Sequence, residues 1–375
     1  MIPDVDVDVL VVGAGVVGLA VAAALGRAGH SVWIAERADG VGRETSSRNS
    51  GVIHAGLYYP EGSLKARMCA RGRELLYERC VQRRIAHREC GKLVVAANVA
   101  EAPALESLAQ RAATNGVPGL RALSGAEVSA LEPCVRAHAG LLSPRTGIVD
   151  AHELVLSYAA EAEAFGARIA LRTEIVALEH VSVGWHAKAR GPGGERTQLK
   201  AAAVVNAAGL ASDRVAALAG VDLDLAGYRV HPCKGDYFAL TPAAPLRFDH
   251  LVYPLHDAAG LGVHVSFDLA GRIRLGPDTE HIPEARYDVD PAKAERFASA
   301  ARRYLPEIRS EWLTPDQAGV RAKLSGPGEP FRDFVIAEES ARSLPGLVNL
   351  VGIESPGLTA AGAIAEEVAE RLLSL

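Results

Sequence analysis

Gly13-Ala14-Gly15-Val16-Val17-Gly18 is a complete G-x-G-x-x-G run, a spacing suited to holding a pyrophosphate. Gly13 permits a tight turn, Gly15 lets the backbone approach phosphate, and Gly18 lets a helix pack closely on a strand. A helix starting here presents unpaired N–H groups and the positive end of its dipole to the phosphates. Glu36, with Arg37 beside it, ends the next strand, where a carboxylate accepts hydrogen bonds from ribose hydroxyls. The run serves any dinucleotide, so at this point NAD and FAD both remain open.

The flanking elements fit that chemistry. Val7–Val12 is a short apolar run, as expected for a parallel strand buried on both faces. Helix-forming Leu19–Leu25 follows, stopping at Gly29, and Ser31–Ala35 reads as a second strand. Three further segments favour FAD. Glu44-Thr45-Ser46-Ser47-Arg48-Asn49-Ser50-Gly51 carries small hydroxyl and amide groups that can pack against a flat ring and donate to phosphate or flavin oxygens. Ala203-Val204-Val205-Asn206-Ala207-Ala208-Gly209 reads as a buried strand ending in small residues, which suit backbone passing close to a nucleotide. Leu347–Val351 is another apolar strand, followed by Gly352-Ile353-Glu354-Ser355-Pro356-Gly357-Leu358-Thr359 and a long helix, Ala360–Leu373. A Gly-rich turn feeding a helix N-terminus can stabilise negative charge on a reduced flavin.

A chain of 375 residues suggests two domains, or one large fold with a sizeable insertion. With 49% hydrophobic and 23% charged residues the composition is globular rather than disordered. A net charge of −5 argues against nucleic acid as a partner. The five cysteines (69, 80, 90, 134 and 233) form no C-x-x-C pair and have no His cluster beside them, so no zinc site or disulfide framework is expected. Val9 to Gly26 is uncharged and long enough to resemble a membrane span. Asp4, Asp6 and Asp8 precede it where a signal peptide would carry Lys or Arg, so the run is read as strand and helix, and the location as cytoplasmic. The basic stretch Lys65–Arg88 is read first as a solvated helix face. It could also touch an anionic membrane from the cytoplasmic side, which would fit electron delivery to a quinone.

The fingerprint, the Thr45–Gly51 segment, Asn206-Ala207-Ala208-Gly209 and the Gly352 turn together resemble the D-amino-acid-oxidase-type flavoprotein superfamily. Within it, Ser47-Arg48-Asn49-Ser50-Gly51-Val52-Ile53-His54-Ala55-Gly56-Leu57-Tyr58-Tyr59-Pro60 resembles the L-2-hydroxyglutarate dehydrogenases. So do Gly262-Val263-His264, Arg274-Leu275-Gly276-Pro277 and the residues from Gly352 to Thr359. The resemblance implies an α/β fold: a Rossmann-like FAD-binding domain of glutathione-reductase type (1–88, 145–225 and 335–375) with an inserted α+β substrate domain (89–144 and 226–334) on an antiparallel sheet. Tyr228–Leu240, Leu251–Leu255, Leu261–Phe267 and Arg272–Leu275 are β-type runs compatible with that sheet, and His152–Phe165 and Pro291–Leu305 read as helices.

Oxidising a 2-hydroxy acid needs a cation for the carboxylate and a base for the hydroxyl proton, because flavin itself accepts the hydride. Histidine accepts a proton at neutral pH, and two are placed for it. His54 follows the segment expected along the flavin; His264 alternates with Val263 and Val265, so it should face away from them. Arg321 resembles the carboxylate-binding arginine of amino-acid-oxidase relatives, with Ala322 standing where those relatives often have Pro. A second substrate carboxylate would want a second cation, with Lys234, Arg274 and Arg48 as candidates. Tyr253 and Tyr58 are candidate hydrogen-bond donors. His54 also resembles the position where some amine-oxidising relatives attach flavin; the hydroxyglutarate-type neighbours imply noncovalent FAD. An amine or amino-acid oxidase, glycine- or sarcosine-oxidase-like, is the competing reading. The electron acceptor, whether quinone, oxygen or a carrier, is open.

Overall fold

The computed structural model describes residues 5–255 and 262–373. Asp4, and Leu261 at the start of one expected β-run, lie outside them. Two large sheets carry the chain. The first has eight strands, with Val7–Val12 at its centre between Arg196–Asn206 and Val32–Ala35, both parallel to it. Leu347–Val351 adds in parallel to Arg196–Asn206. All six residues of Val7–Val12 except Asp8 are buried, as a run covered by helices on one face and packed residues on the other requires. Helices Val16–Arg27, Ala151–Ala164 and Gly357–Leu373 cover this sheet and share one core with it.

The second sheet has nine strands, drawn from residues 92–143 and 231–323. It differs from the expected antiparallel sheet at one seam, where Lys92–Ala96 runs parallel to Leu251–Pro254. Its longest ladder pairs His231–Leu240 with Leu313–Lys323. Helix Ala294–Ala301 packs behind it, shorter than the expected Pro291–Leu305 because a 3-10 turn, Pro291–Lys293, precedes it.

The basic stretch also departs from expectation. The helix is Leu64–Arg83; Arg84 ends it in the left-handed region (φ +55°), and Arg88 belongs to a short strand. Nor is it simply a solvated face: Lys65, Arg73 and Arg79 are buried. Lys65 pairs with Glu354, Arg79 with Glu161, and the exposed Arg71 with Glu366, so carboxylates from other elements neutralise much of the face. No helix among the described residues is long and apolar enough to cross a membrane.

Candidate active site

The carboxyl ends of Val7–Val12, Arg196–Asn206 and Leu347–Val351 lie side by side, with Val12 in register with both Asn206 and Ala35. In open α/β sheets ligands bind beyond such ends. A cavity of about 410 Å³ opens there, within the rough range of 300–1,000 Å³ for small-molecule and cofactor sites. Its wall includes Gly13, Gly15, Val16 and Val17 of the first turn, then Glu36 and Arg37, and Thr45, Ser46, Arg48, Asn49 and Ser50. Ala207, Ala208 and Gly209 follow, with Ile353, Glu354, Gly357 and Leu358 on the opposite flank.

The glycine turn is compressed enough to leave backbone facing the cavity. Gly13 has φ +106°, and a Cβ on it would stand 2.6 Å from the Ala207 carbonyl oxygen. A Cβ on Gly18 would stand 2.1 Å from the Gly13 carbonyl oxygen. No side chain fits either gap. The neighbouring amides are already oriented: Val16 N–H donates to Ser46 Oγ (3.0 Å) and Ala14 N–H to Glu36 Oε2 (2.7 Å). This cradle, with Glu36 at its edge, fits the pyrophosphate and ribose of a dinucleotide.

Four of the expected cofactor residues shape the wall without lining it. Gly18 packs under the turn, and Gly51 (φ +65°) lies against the Val149 carbonyl. Gly352 (φ +71°) lies against Leu324. The buried Thr359 accepts from His54 N–H (3.0 Å) and donates to the Val52 carbonyl (3.3 Å), so the closing helix fixes the backbone of His54.

Where the second sheet meets the cavity, His54, Tyr253, His264 and Arg321 all reach the wall. His54 Nε2 lies 3.2 Å from Ser355 Oγ. Burial, reinforced by the charge of Lys92, pushes its imidazole down to about 3, so the ring is neutral at pH 7. Val263 and Val265 enter the core behind the sheet, while His264 faces the cavity and stacks on Tyr253. Burial holds the Tyr253 phenol well above its usual range, as a hydrogen-bond donor. Arg321 donates from Nη2 to the Asp278 carbonyl (2.8 Å). It has room because Gly235, on the paired strand, carries no Cβ, which would stand 2.9 Å from Arg321 Nη2.

Lys234 and Arg274 do not reach the wall. Lys234 is buried on Asp236 (3.0 Å) and on the carbonyl of Asp288, and Arg274 is held by Asp316 (2.5 Å) and Asp268 (3.4 Å). Arg48 does line the cavity, its guanidinium 4.2 Å from the Tyr287 ring centroid. Glu354 is half-buried; desolvation favours its neutral form, but Lys65 and Lys323 outweigh that and keep the carboxyl below its usual range.

The wall also holds Thr173, Glu174, Arg214 and Tyr237, which sequence reasoning did not single out, and Pro277 from the Arg274–Pro277 motif. Thr173 and Glu174 follow Arg168–Ala170, which pairs in parallel with Val32–Ala35. A β-run after the helix beginning near Ala151 was the available signal.

Residues 8–371 match the family described as DAO: FAD dependent oxidoreductase. The chain belongs to this family. It is an FAD-dependent oxidoreductase, and the cradle described above fits that cofactor. Similar proteins include the mitochondrial L-2-hydroxyglutarate dehydrogenase of Arabidopsis thaliana, 40% identical across 98% of this chain and 83% of the relative. The human mitochondrial L-2-hydroxyglutarate dehydrogenase is 31% identical across 97% of this chain and 89% of its own. Among solved structures, L-alpha-glycerophosphate oxidase from Mycoplasma pneumoniae with FAD bound superposes with a TM-score of 0.87 at 28% identity. That likeness covers 98% of this chain and 95% of the oxidase. The expectation of a cytoplasmic location is corrected by these comparisons, since the plant and human relatives are named as mitochondrial enzymes.

Proposed function

We propose that this member of the DAO family oxidises L-2-hydroxyglutarate to 2-oxoglutarate, with noncovalently held FAD. The observation carrying the reading is that Arg321 and His54 reach the same cavity wall, where we assign Arg321 as the carboxylate anchor and His54 as the base. The Arg321 fork matches a carboxylate bidentately and would hold the one next to the hydroxyl. His54 Nε2 would take the hydroxyl proton. When bound, flavin supplies the acceptor for the hydride leaving the substrate Cα. Tyr253 and His264 would close the site on the substrate side. Arg48, one of the further cations on the wall, is the partner assigned to the second carboxylate. Noncovalent attachment is supported by the wall, which holds no cysteine among the described residues.

The test is the anaerobic visible spectrum of the FAD-loaded enzyme with L-2-hydroxyglutarate, D-2-hydroxyglutarate and glycine added separately. Bleaching by the L-hydroxy acid alone is expected. Bleaching by glycine alone would replace this reading with an amine oxidase.

A further inference from the structure

Lys92 begins the strand Lys92–Ala96, is fully buried, and has no hydrogen-bond partner for Nζ among the described residues. Burying an amine without a partner is costly, and more so when it is charged. The strand register shows what it faces. Lys92 pairs with Leu251 and Val94 with Tyr253 in the parallel ladder, so Lys92 and Tyr253 share a face of the sheet. Lys92 Nζ stands 4.0 Å from the Tyr253 ring centroid and 5.4 Å from that of Tyr58. The His264 ring lies 3.7 Å from the same Tyr253 centroid at 12°. Two groups so close to one centroid cannot occupy the same side of it, so Tyr253 is sandwiched between Lys92 and His264. Tyr253 and His264 touch the cavity; Lys92 sits one layer behind.

We propose that Lys92 is a positioning residue for a dianionic substrate: it takes up a proton when a dicarboxylate enters the cavity, and its ammonium then acts through the Tyr253 ring as a buried counter-charge. This rests on the dicarboxylate reading above. A cation over a tyrosine face is attracted to it without needing a hydrogen bond, and the interaction strengthens where water is excluded. The groups facing Lys92 are Tyr58 and Tyr253, Cys69 from the helix Leu64–Arg83, the adjacent Cys90, and His54. None is a carboxylate, so an incoming dianion supplies the negative charge the amine lacks. Burial, partly opposed by the two thiols, pushes the Lys92 amine down to about 7. Near neutral pH it is therefore divided between its two forms and can respond to charge.

The experiment is titration calorimetry of the FAD-loaded enzyme with 2-oxoglutarate at pH 8, in two buffers of different ionisation enthalpy. The wild type should take up a substantial fraction of a proton per site. Lys92→Met keeps the length of the stem, and Lys92→Gln keeps a polar tip. Both should abolish the uptake and weaken binding about tenfold, within the usual range for coupled sites. In turnover with L-2-hydroxyglutarate, KM should rise more than kcat falls; a merely structural role would not remove the proton. Retained uptake and affinity in both variants would overturn the proposal, as would zero uptake by a wild type that L-2-hydroxyglutarate bleaches. Lys92-dependent uptake in an enzyme that L-2-hydroxyglutarate does not bleach would sustain the proposal and sink the substrate reading. A wild type that neither binds 2-oxoglutarate nor is bleached by L-2-hydroxyglutarate would remove both.

Discussion

Tyr253 and His264 lie ring on ring, their centroids 3.7 Å apart and their planes 12° from parallel. Each comes from a different strand region of the second sheet, and each meets the cavity that the first sheet builds. The two rings therefore form one wall rather than two independent contacts. His264→Ala should slow flavin reduction by about tenfold or more, the scale of a displaced positioning or acid–base group. Tyr253→Leu should do much the same. Residues in contact do not act additively, so the double variant should lose far less than the product of the two. Stopped-flow reduction rates of all four enzymes test this, and multiplicative losses would mean that the stack does not act as a unit.

His54 links stability to pH. Its folded pKa, about 3, lies below its unfolded value of about 6.5. Protonation thus favours the unfolded chain. The stability associated with a neutral His54 is fully present above pH 6.5 and is lost as pH falls from there toward 3, at up to about 1.4 kcal/mol per pH unit. His54→Gln should flatten the fall in urea midpoint between pH 6.5 and 5 and should also cut flavin reduction by about two orders of magnitude or more. An unchanged acid slope would show that His54 is not held neutral by its surroundings.

The glycine turn predicts a different failure. Gly18→Ala would place a Cβ about where the Gly13 carbonyl stands, 2.1 Å away by the native geometry, and backbone cannot yield as a flexible side chain does. The turn should open and FAD should be lost, so that the variant purifies with little yellow colour while keeping its far-ultraviolet dichroism. The flavin-to-protein absorbance ratio measures this directly. Wild-type flavin content in Gly18→Ala would show that the turn tolerates widening.

The parts of the site legible in the sequence are those whose neighbours are local. The run from Gly13 to Gly18 announces its turn because strand, glycines and helix are contiguous, and Leu347–Val351 announces itself by being apolar at every position but Asn349. His264 could be assigned to the cavity face by simple alternation against Val263 and Val265. Charges were less legible. Lys234 and Arg274 look like free cations in the sequence, yet Asp236 and Asp316 consume them. A charge advertises itself; its partner does not. Lys92 shows the reverse. In the sequence it is an ordinary strand-end lysine, and only the register with Leu251–Pro254 puts it under Tyr253. The parallel seam there was equally hidden, because a strand's residues do not state which way its neighbour runs.

Arg321 gives the last prediction, through Gly235. The two residues stand on paired strands, and Gly235 leaves the space that the guanidinium occupies beside Pro277 and the Asp278 carbonyl. A Cβ on Gly235 would lie 2.6 Å from Pro277 Cβ and 2.9 Å from Arg321 Nη2. The proline ring cannot swing away, so the arginine must. Gly235→Ala should therefore reproduce much of the effect of Arg321→Met without touching any charge. Both should raise KM for the hydroxy acid by about tenfold to a hundredfold, the expected cost of about 1.5–3 kcal/mol for a charged hydrogen bond. Arg321→Lys should recover only part of the loss, since an ammonium cannot present the two parallel donors of a guanidinium. Steady-state kinetics on the three variants, each normalised to bound flavin, decides the matter. A normal KM in Gly235→Ala with a raised one in Arg321→Met would mean that the fork adjusts freely and that Gly235 has no part in aiming it.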